Sequence, residues 1–222
     1  MLCVVGDACF ELTYQTMADL AVKQGEYLGS FRLLIDDLKE VCAFVQPTDA
    51  NLNTFSHRIY ELFLRACTEF ESASKQALVS EGNSKPVGEM NINDYRTLEQ
   101  HLKLEQFEVG LLFWQPAPSY VKPFASWSTA QPPLSWYSDY NKVKHNRNTE
   151  FSVANLGNLR LAMSGLFALL AQLHVFSDEN DWDVISDINA NVRETTFFGY
   201  PFILKCPPSI IPFAPRGTVQ RV

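Results

Sequence analysis

The stretch NLNTFSHRIYELFLRACTEFESASKQALV, which spans residues 51–79, decides the fold. Its apolar residues recur at spacings of three and four, which places them on one side of an α-helix. That stripe consists of Phe55, Ile59, Leu62, Phe63, Ala66, Phe70, Ala73 and Ala77. Charged residues fill the opposite side, so the sequence predicts a long amphipathic helix with one face in a core. Thr48 or Asp49 is a candidate cap for its start, because either side chain can accept a backbone hydrogen bond.

Two further segments have the character of long helices. Residues 15–44 repeat the helical spacing, and Pro47 ends that segment because proline cannot continue a helix. Residues 153–176 form a second helix, and their most apolar part, 161–176, is too short and too interrupted to span a bilayer. We interpret it as a buried core helix and expect no membrane association.

The segment between these helices changes character twice. The spacing of apolar residues over 103–114 favours an extended run. Residues 115–133 hold five prolines together with several aromatic residues, which predicts an ordered loop rather than a helix. A new helix should begin near Leu134 or Ser135.

The last part of the chain is mixed. Residues 182–192 fit a short helix or a strand, 197–203 look extended, and 207–216 look irregular. The sequence therefore predicts a mainly α protein with a few short strands: a helical domain over 1–176, and an irregular or mixed C-terminal extension over 177–222 packed on it.

Composition limits the function. The formal net charge is −7, and a chain this acidic is a poor general binder of nucleic acid. Its basic residues cluster once, within Asn141-Lys142-Val143-Lys144-His145-Asn146-Arg147. The five cysteines are scattered, so neither zinc spacing nor a disulfide framework is expected. The first ten residues lack the features of a signal peptide, and a cytoplasmic location is the simplest expectation. We expect no metal and no cofactor, because the sequence contains no phosphate-binding glycine loop.

Helical geometry orders the basic cluster. Residues four apart lie on one face of a helix, so Asn141 and His145 share a face. Arg147 lies nearly opposite His145 if the helix continues, and beside it only if the helix ends at about Asn146. The sequence leaves both arrangements open.

These residue types suit phosphate chemistry. His145 could act as general acid or base near neutral pH, and Asn141 could orient its imidazole, so these two are the candidate catalytic residues. Lys144 and Arg147 are the candidate phosphate ligands. Such a group suits metal-free cleavage of RNA, and it equally suits binding of a phosphorylated ligand. The simpler alternative is a set of solvated charges, which the dipole favours at the end of a helix.

The long helix over 55–79, the segment Trp136-Tyr137-x-x-Tyr140-Asn141-x-x-Lys144-His145-x-Arg147 and the apolar helix after it resemble the HEPN superfamily. The resemblance covers residues 15–176 loosely, and residues 178–222 have no counterpart in it. It implies an up-down helical bundle, frequently a homodimer, of the kind found in bacterial toxin–antitoxin and phage-defence systems. Many members are metal-independent ribonucleases.

The family motif is an Arg followed by four to six residues and then a His. His145 matches this motif, but Ser138, Asp139 and Tyr140 stand where the Arg would fall. Arg58 or Arg65 could supply the guanidinium if their helix packs against the helix of Asn141.

Two hypotheses follow. The first is a catalytically degenerate HEPN-like protein that binds RNA, a nucleotide or a partner protein in a defence or toxin–antitoxin-like role. The second is a metal-independent endoribonuclease that uses His145.

Overall fold

The computed structural model describes residues 14–117, 119–128, 133–173, 182–188, 192–197 and 200–207, with side chains from residue 25 onward except those of 182–188 and 192–197. The described chain is mainly helical. Its α-helices are α1 (Tyr14–Phe44), α2 (His57–Ser80), α3 (Ile92–Tyr95), α4 (Glu99–Leu102), α5 (Ser135–His145), α6 (Arg147–Glu150) and α7 (Leu156–Gln172). Its strands are β1 (Glu108–Leu111), β2 (Tyr120–Val121), β3 (Trp182–Ile188), β4 (Val192–Phe197) and β5 (Phe202–Cys206).

Helix α2 is the centre of the fold, as its periodicity predicts. The Ser56 side chain accepts the Ile59 N–H and caps its start, rather than Thr48 or Asp49. Thr48 instead caps a short 3-10 turn over Asp49–Asn51. The helix ends at Ser80, and the chain turns away two residues later at Gly82, whose φ of +84° is the left-handed conformation that glycine adopts without strain.

Three other helices surround α2. Helix α7 makes the most extensive contact with it, and α1 and α5 pack on the same core. The α7 segment is apolar on all sides because it is enclosed on all sides: Leu159, Met163 and Phe167 are fully buried. None of the helices within the described ranges is long and apolar enough to cross a membrane.

A five-stranded antiparallel sheet completes the described fold. The strand order is β2-β1-β5-β4-β3, and the central pairing joins Val109 of β1 to Leu204 of β5. Side chains of this sheet reach the helical core, where the Phe202 ring stacks on Phe167 with centroids 4.6 Å apart. The sheet is therefore continuous with the helical core.

The described part of the C-terminal extension forms three strands, β3, β4 and β5. Strand β3 lies in the segment for which the sequence fits a short helix or a strand, and the extended run expected over 197–203 falls partly on β4 and β5. Each strand is short and carries polar residues, so its pattern in sequence is weak and backbone pairing stabilises it. Strand β4 pairs with its neighbours in sequence, β3 and β5, and β5 also pairs with the distant β1. Because β5 pairs with β1, residues on both sides of position 176 form one sheet. The division of the chain into domains at that position stays a prediction, and the irregular segment expected over 207–216 lies outside the described residues beyond Pro207.

The proline-rich loop is ordered where it is described, as its aromatic residues predict. Phe124 and Trp127 are buried, and Trp136 at the start of α5 donates its indole N–H to the Pro123 carbonyl at 2.9 Å. The Trp136 ring lies so close to α7 that a Cβ added at Gly165 would be 3.1 Å from its Cζ2 atom. Glycine therefore allows α5 and α7 to approach each other.

A buried arginine joins the loops to α7. Arg160 is only 4% exposed, and its guanidinium lies 4.0 Å from the centroid of the Trp114 ring. It donates to the Ser119 carbonyl at 2.9 Å and pairs with Asp49 Oδ1 at 3.3 Å. Trp114 also donates its indole N–H to that oxygen of Asp49. These contacts give Arg160 a structural role.

Candidate functional site

The basic cluster lies where α5 ends and α6 begins. Helix α5 ends at His145, because Asn146 leaves the helical conformation at φ −131° and ψ 48°. The chain turns there, and Arg147 begins α6. Of the two arrangements left open by the sequence, the structure has the one in which the helix stops before Arg147.

Asn141 and His145 occupy the outer side of α5. Asn141 is partly buried and His145 is exposed. No hydrogen bond joins either of them to another side chain that the structure describes. The imidazole of His145 is accessible, and its catalytic role stays a prediction.

Lys144 points into the seam between α5 and α2. Its Nζ donates to the Tyr140 hydroxyl at 2.9 Å and lies 3.8 Å from Glu71 Oε1. Glu71 in turn accepts the Tyr137 hydroxyl at 2.7 Å. The hydrogen bond to Tyr140 raises the pKa of Lys144, so the ammonium stays charged at neutral pH.

Lys142 forms an ion pair within its own helix. Its Nζ lies 2.6 Å from Asp139 Oδ1, one turn back on the same helix. The other carboxylate oxygen of Asp139 accepts from Asn158 of α7. Lys142 and Lys144 thus each approach a carboxylate.

Arg147 contacts aromatic rings instead of a carboxylate. Its guanidinium carbon lies 4.9 Å from the centroid of Tyr60 and 5.6 Å from that of Phe151. Its Nη2 lies 3.2 Å from Nδ1 of His57. In the described part of the chain, Arg147 forms no ion pair. Its charge is therefore held by π-faces and remains available to an anion.

Phe55 extends this group of rings. Its ring meets Phe151 edge-on with centroids 5.9 Å apart, and it is 49% exposed. The imidazole of His57 also lies on Phe151, at 5.0 Å. We call Phe55, His57, Tyr60, Arg147 and Phe151 the Arg147 patch.

Backbone pairing positions the two halves of the patch. The Leu156 N–H donates to the Thr54 carbonyl at 2.8 Å, and Phe55 pairs with Asn155 across an isolated bridge. The Asn155 side chain also accepts the Asn158 N–H and so caps the start of α7. The start of α2 is therefore tied to the segment that follows α6, which brings His57 beside Arg147.

Arg58 and Arg65, the other candidate sources of a guanidinium beside His145, face α1 instead. Although α2 packs against α5, Arg58 pairs with Glu40 of α1 at 2.7 Å. Arg65 pairs with Asp37, also on α1. Both side chains are turned toward α1, whereas the guanidinium of Arg147 contacts His57 of α2.

The sequence did not point to His57 as a site residue. The pairing of Arg58 with α1 agrees with a surface role for that neighbouring side chain. The sequence signals for the patch are Arg147, a candidate phosphate ligand, and Phe55. The helical spacing puts Phe55 in the core stripe, but it precedes the Ser56 cap and is 49% exposed, so its assignment to the core is wrong. Its partner Phe151 is too distant in the chain to be paired with it from spacing alone.

Within the described ranges, no three His, Cys, Asp or Glu side chains gather in a group that could hold a metal ion. Comparisons with known proteins find no match: no family model, no curated protein and no solved structure matches this chain.

Proposed function

We propose that this chain binds single-stranded RNA, with a free nucleotide as its smallest ligand, through the Arg147 patch. The observation that carries the proposal is the guanidinium of Arg147, which lies over two aromatic rings and forms no ion pair with any residue that the structure describes. Unpaired bases stack on aromatic side chains and on guanidinium planes, and this stacking needs no particular sequence.

The electrostatics support a small site rather than a broad basic surface. The chain carries a net charge of −7, and Lys142 and Lys144 approach carboxylates. Duplex binding depends on many phosphate contacts, whereas stacking of a few unpaired bases needs only one or two cations. The composition therefore favours short single strands.

Two further statements rest on the sequence resemblance alone. They are the HEPN-like up-down bundle, with the homodimer that it implies, and a defence or toxin–antitoxin-like role. Binding of a partner protein through the same face is the competing outcome of the binding experiment.

Binding of a labelled twelve-nucleotide RNA, measured by fluorescence anisotropy at low salt in EDTA, tests the proposal. Arg147→Ala should weaken binding at least about fivefold, because one stacked, charge-bearing contact contributes about 1–3 kcal/mol. Arg58→Ala is the matched control, since it removes the same charge from an exposed site that pairs with α1. Equal affinities of the two variants, or equal affinity for a duplex of the same length, would reject the proposal.

A metal-independent endoribonuclease that uses His145 is the second candidate function. The exposed imidazole at the end of α5, two residues before Arg147, favours it because that ring can exchange protons with a substrate. Cleavage of the same RNA in EDTA, lost in His145→Ala and kept in Arg58→Ala, would support this function. Binding without cleavage would leave the chain as a binding protein.

A further inference from the structure

A cleft lies on the segment that joins α2 to the sheet. It has a volume of about 420 Å³ and is lined by side chains from α3, α4 and the turns that follow each of them. Sites for small molecules usually measure about 300–1,000 Å³, so the cleft has room for a compact ligand. It shares no residue with the Arg147 patch.

The backbone builds this cleft around Glu99. Lys103 adopts a left-handed conformation at φ 51° and ψ 39°, which ends α4 and turns the chain back. The backbone that follows this turn brings the Glu105 N–H to both carboxylate oxygens of Glu99, at 3.3 and 3.2 Å. Glu99 is thereby held in place by the main chain rather than by a neighbouring side chain.

The carboxylate of Glu99 forms no ion pair within the described residues, although Lys103 also lines the cleft. Burial raises its pKa to about 7, and the nearby charge of Glu105 acts in the same direction. A ligand ammonium placed here would relieve the cost of keeping this carboxylate charged and partly buried.

The same cleft carries positive charge. Arg96 and Lys103 line it together with Glu99 and Glu105, so its formal charges balance. Arg96 is anchored by a hydrogen bond from Nη2 to the Trp127 carbonyl at 3.4 Å. Neutral polar groups, including Asn93, complete the lining.

We propose that this cleft binds a small zwitterion of the α-amino acid class, with its ammonium at Glu99 and Glu105 and its carboxylate at Arg96 and Lys103. The balanced charges favour a zwitterion over a simple amine or a simple acid. The open, polar lining matches a ligand with a short hydrophilic side chain rather than a large apolar one. Affinity should be weak, with a Kd on the order of 1 mM, because the cleft is shallow and its charges are partly solvated.

Ligand-observed and amide-detected NMR on the full chain test this inference. The probes are serine, alanine and glutamine, each at about ten times the expected Kd. Two half-ligands accompany them: ethylamine, which lacks the carboxylate, and propionate, which lacks the ammonium. Shifts of the Glu105 amide signal report the site directly, because that N–H contacts Glu99.

Glu99→Gln should weaken amino acid binding at least about tenfold while keeping the shape of the side chain, since one charge-assisted contact contributes more than 1.4 kcal/mol. Glu89→Gln is the matched control, because Glu89 is exposed and does not line the cleft. The control should bind within twofold of the native chain.

Three results would overturn the inference. They are no binding by any amino acid in the panel, unchanged binding by Glu99→Gln, and ethylamine or propionate binding as tightly as the amino acids. Unfolding curves of both variants show whether a loss reflects the site or the fold. None of these results depends on RNA binding, so the two proposals fail separately.

Discussion

The guanidinium of Arg147 lies 3.2 Å from the imidazole of His57, although 90 residues of chain separate them. Arg147 begins the short helix after α5, and His57 is the first residue of α2. The contact exists because the backbone around Thr54 pairs with the start of α7. Two basic side chains are thus brought together in contact with the same aromatic ring, that of Phe151.

Replacing Arg147 by lysine separates its charge from its planar shape. Lysine keeps the positive charge but stacks poorly on rings and bases. Arg147→Lys should therefore weaken RNA binding about threefold or more while keeping the native dependence of affinity on salt. Arg147→Ala should weaken binding further and reduce the salt slope by about one. Anisotropy titrations at several salt concentrations measure both quantities, and native affinity in Arg147→Lys would show that stacking plays no part.

The carboxylate of Glu71 links Tyr137 and Lys144 across the α2–α5 seam. Glu71→Ala removes the acceptor of a hydroxyl that is held in a buried environment, so it should destabilise the fold by about 1–3 kcal/mol. Glu61→Ala, an exposed site on the same helix, should change stability by less than about 0.5 kcal/mol.

A double-mutant cycle shows how much of the stability lost in Glu71→Ala comes from its hydrogen bond with Tyr137. When Tyr137 is first changed to Phe, the hydroxyl is gone and Glu71→Ala should cost less in urea unfolding. Additive losses in the double variant would show that the Tyr137–Glu71 hydrogen bond contributes little.

Arg160 and Asp49 should respond unequally to mutation. Arg160 is 4% exposed, whereas the Asp49 side chain is 65% exposed. Asp49→Ala leaves a buried cation without its carboxylate and Trp114 without its acceptor, which should cost about 1–3 kcal/mol because the Asp49 side chain is largely solvated. Arg160→Met leaves only a solvated carboxylate and should cost less. Urea unfolding of both variants checks the order, and a larger loss in Arg160→Met would contradict it.

Two glycines in helices test the approach of α5 to α7. A Cβ at Gly29 meets nothing within 4 Å, so Gly29→Ala should stabilise by about 0.5–1 kcal/mol. A Cβ at Gly165 lies 3.1 Å from Trp136, whose indole is held by its hydrogen bond to Pro123. Gly165→Ala should therefore destabilise by about 1 kcal/mol or more. Thermal unfolding of the two variants gives the comparison, and equal gains would show that Trp136 can move aside.

The sequence predicts those parts of the fold that depend on local pattern. The stripe of α2, the apolar character of α7 and the start of α5 after the prolines all follow from residues within one segment. Extended runs are predicted over 103–114 and 197–203, but the pairing of strands into a sheet is not, because Val109 of β1 and its partner Leu204 of β5 lie far apart in the chain.

The candidate site divides in the same way. Helical spacing was enough to put Asn141 and His145 on one side of α5. It was not enough to direct Lys144 toward Glu71 or Arg147 toward His57, because those contacts depend on how α2 packs against α5. Aromatic neighbours such as Phe151 became visible only once the distant segments were in place.

The raised pKa of Glu99 predicts how stability should change with pH. An acid whose pKa rises from 4.5 to about 7 on folding binds its proton more tightly in the folded state. Its stabilising effect is complete at low pH and is lost as the pH rises from about 4.5 to about 7. Relative to Glu99→Gln, which does not titrate, the native chain should lose on the order of 1 kcal/mol, because solvent screens much of the shift.

Urea unfolding at pH 5, 6, 7 and 8 measures this difference, with Glu89→Gln as the variant that should run parallel to the native chain. The charge of Glu105 raises the pKa of Glu99, and the charge of Lys103 lowers it. Lys103→Met should therefore raise the pKa of Glu99 further and extend the loss of folding stability to higher pH. Amino acid binding should have the opposite pH dependence, since only the ionised carboxylate attracts an ammonium. Native and Glu99→Gln stabilities that differ by a constant amount at every pH would mean that Glu99 titrates normally. The Glu99 carboxylate would then be ionised at every pH above about 5, and amino acid binding should change little between pH 5 and 8.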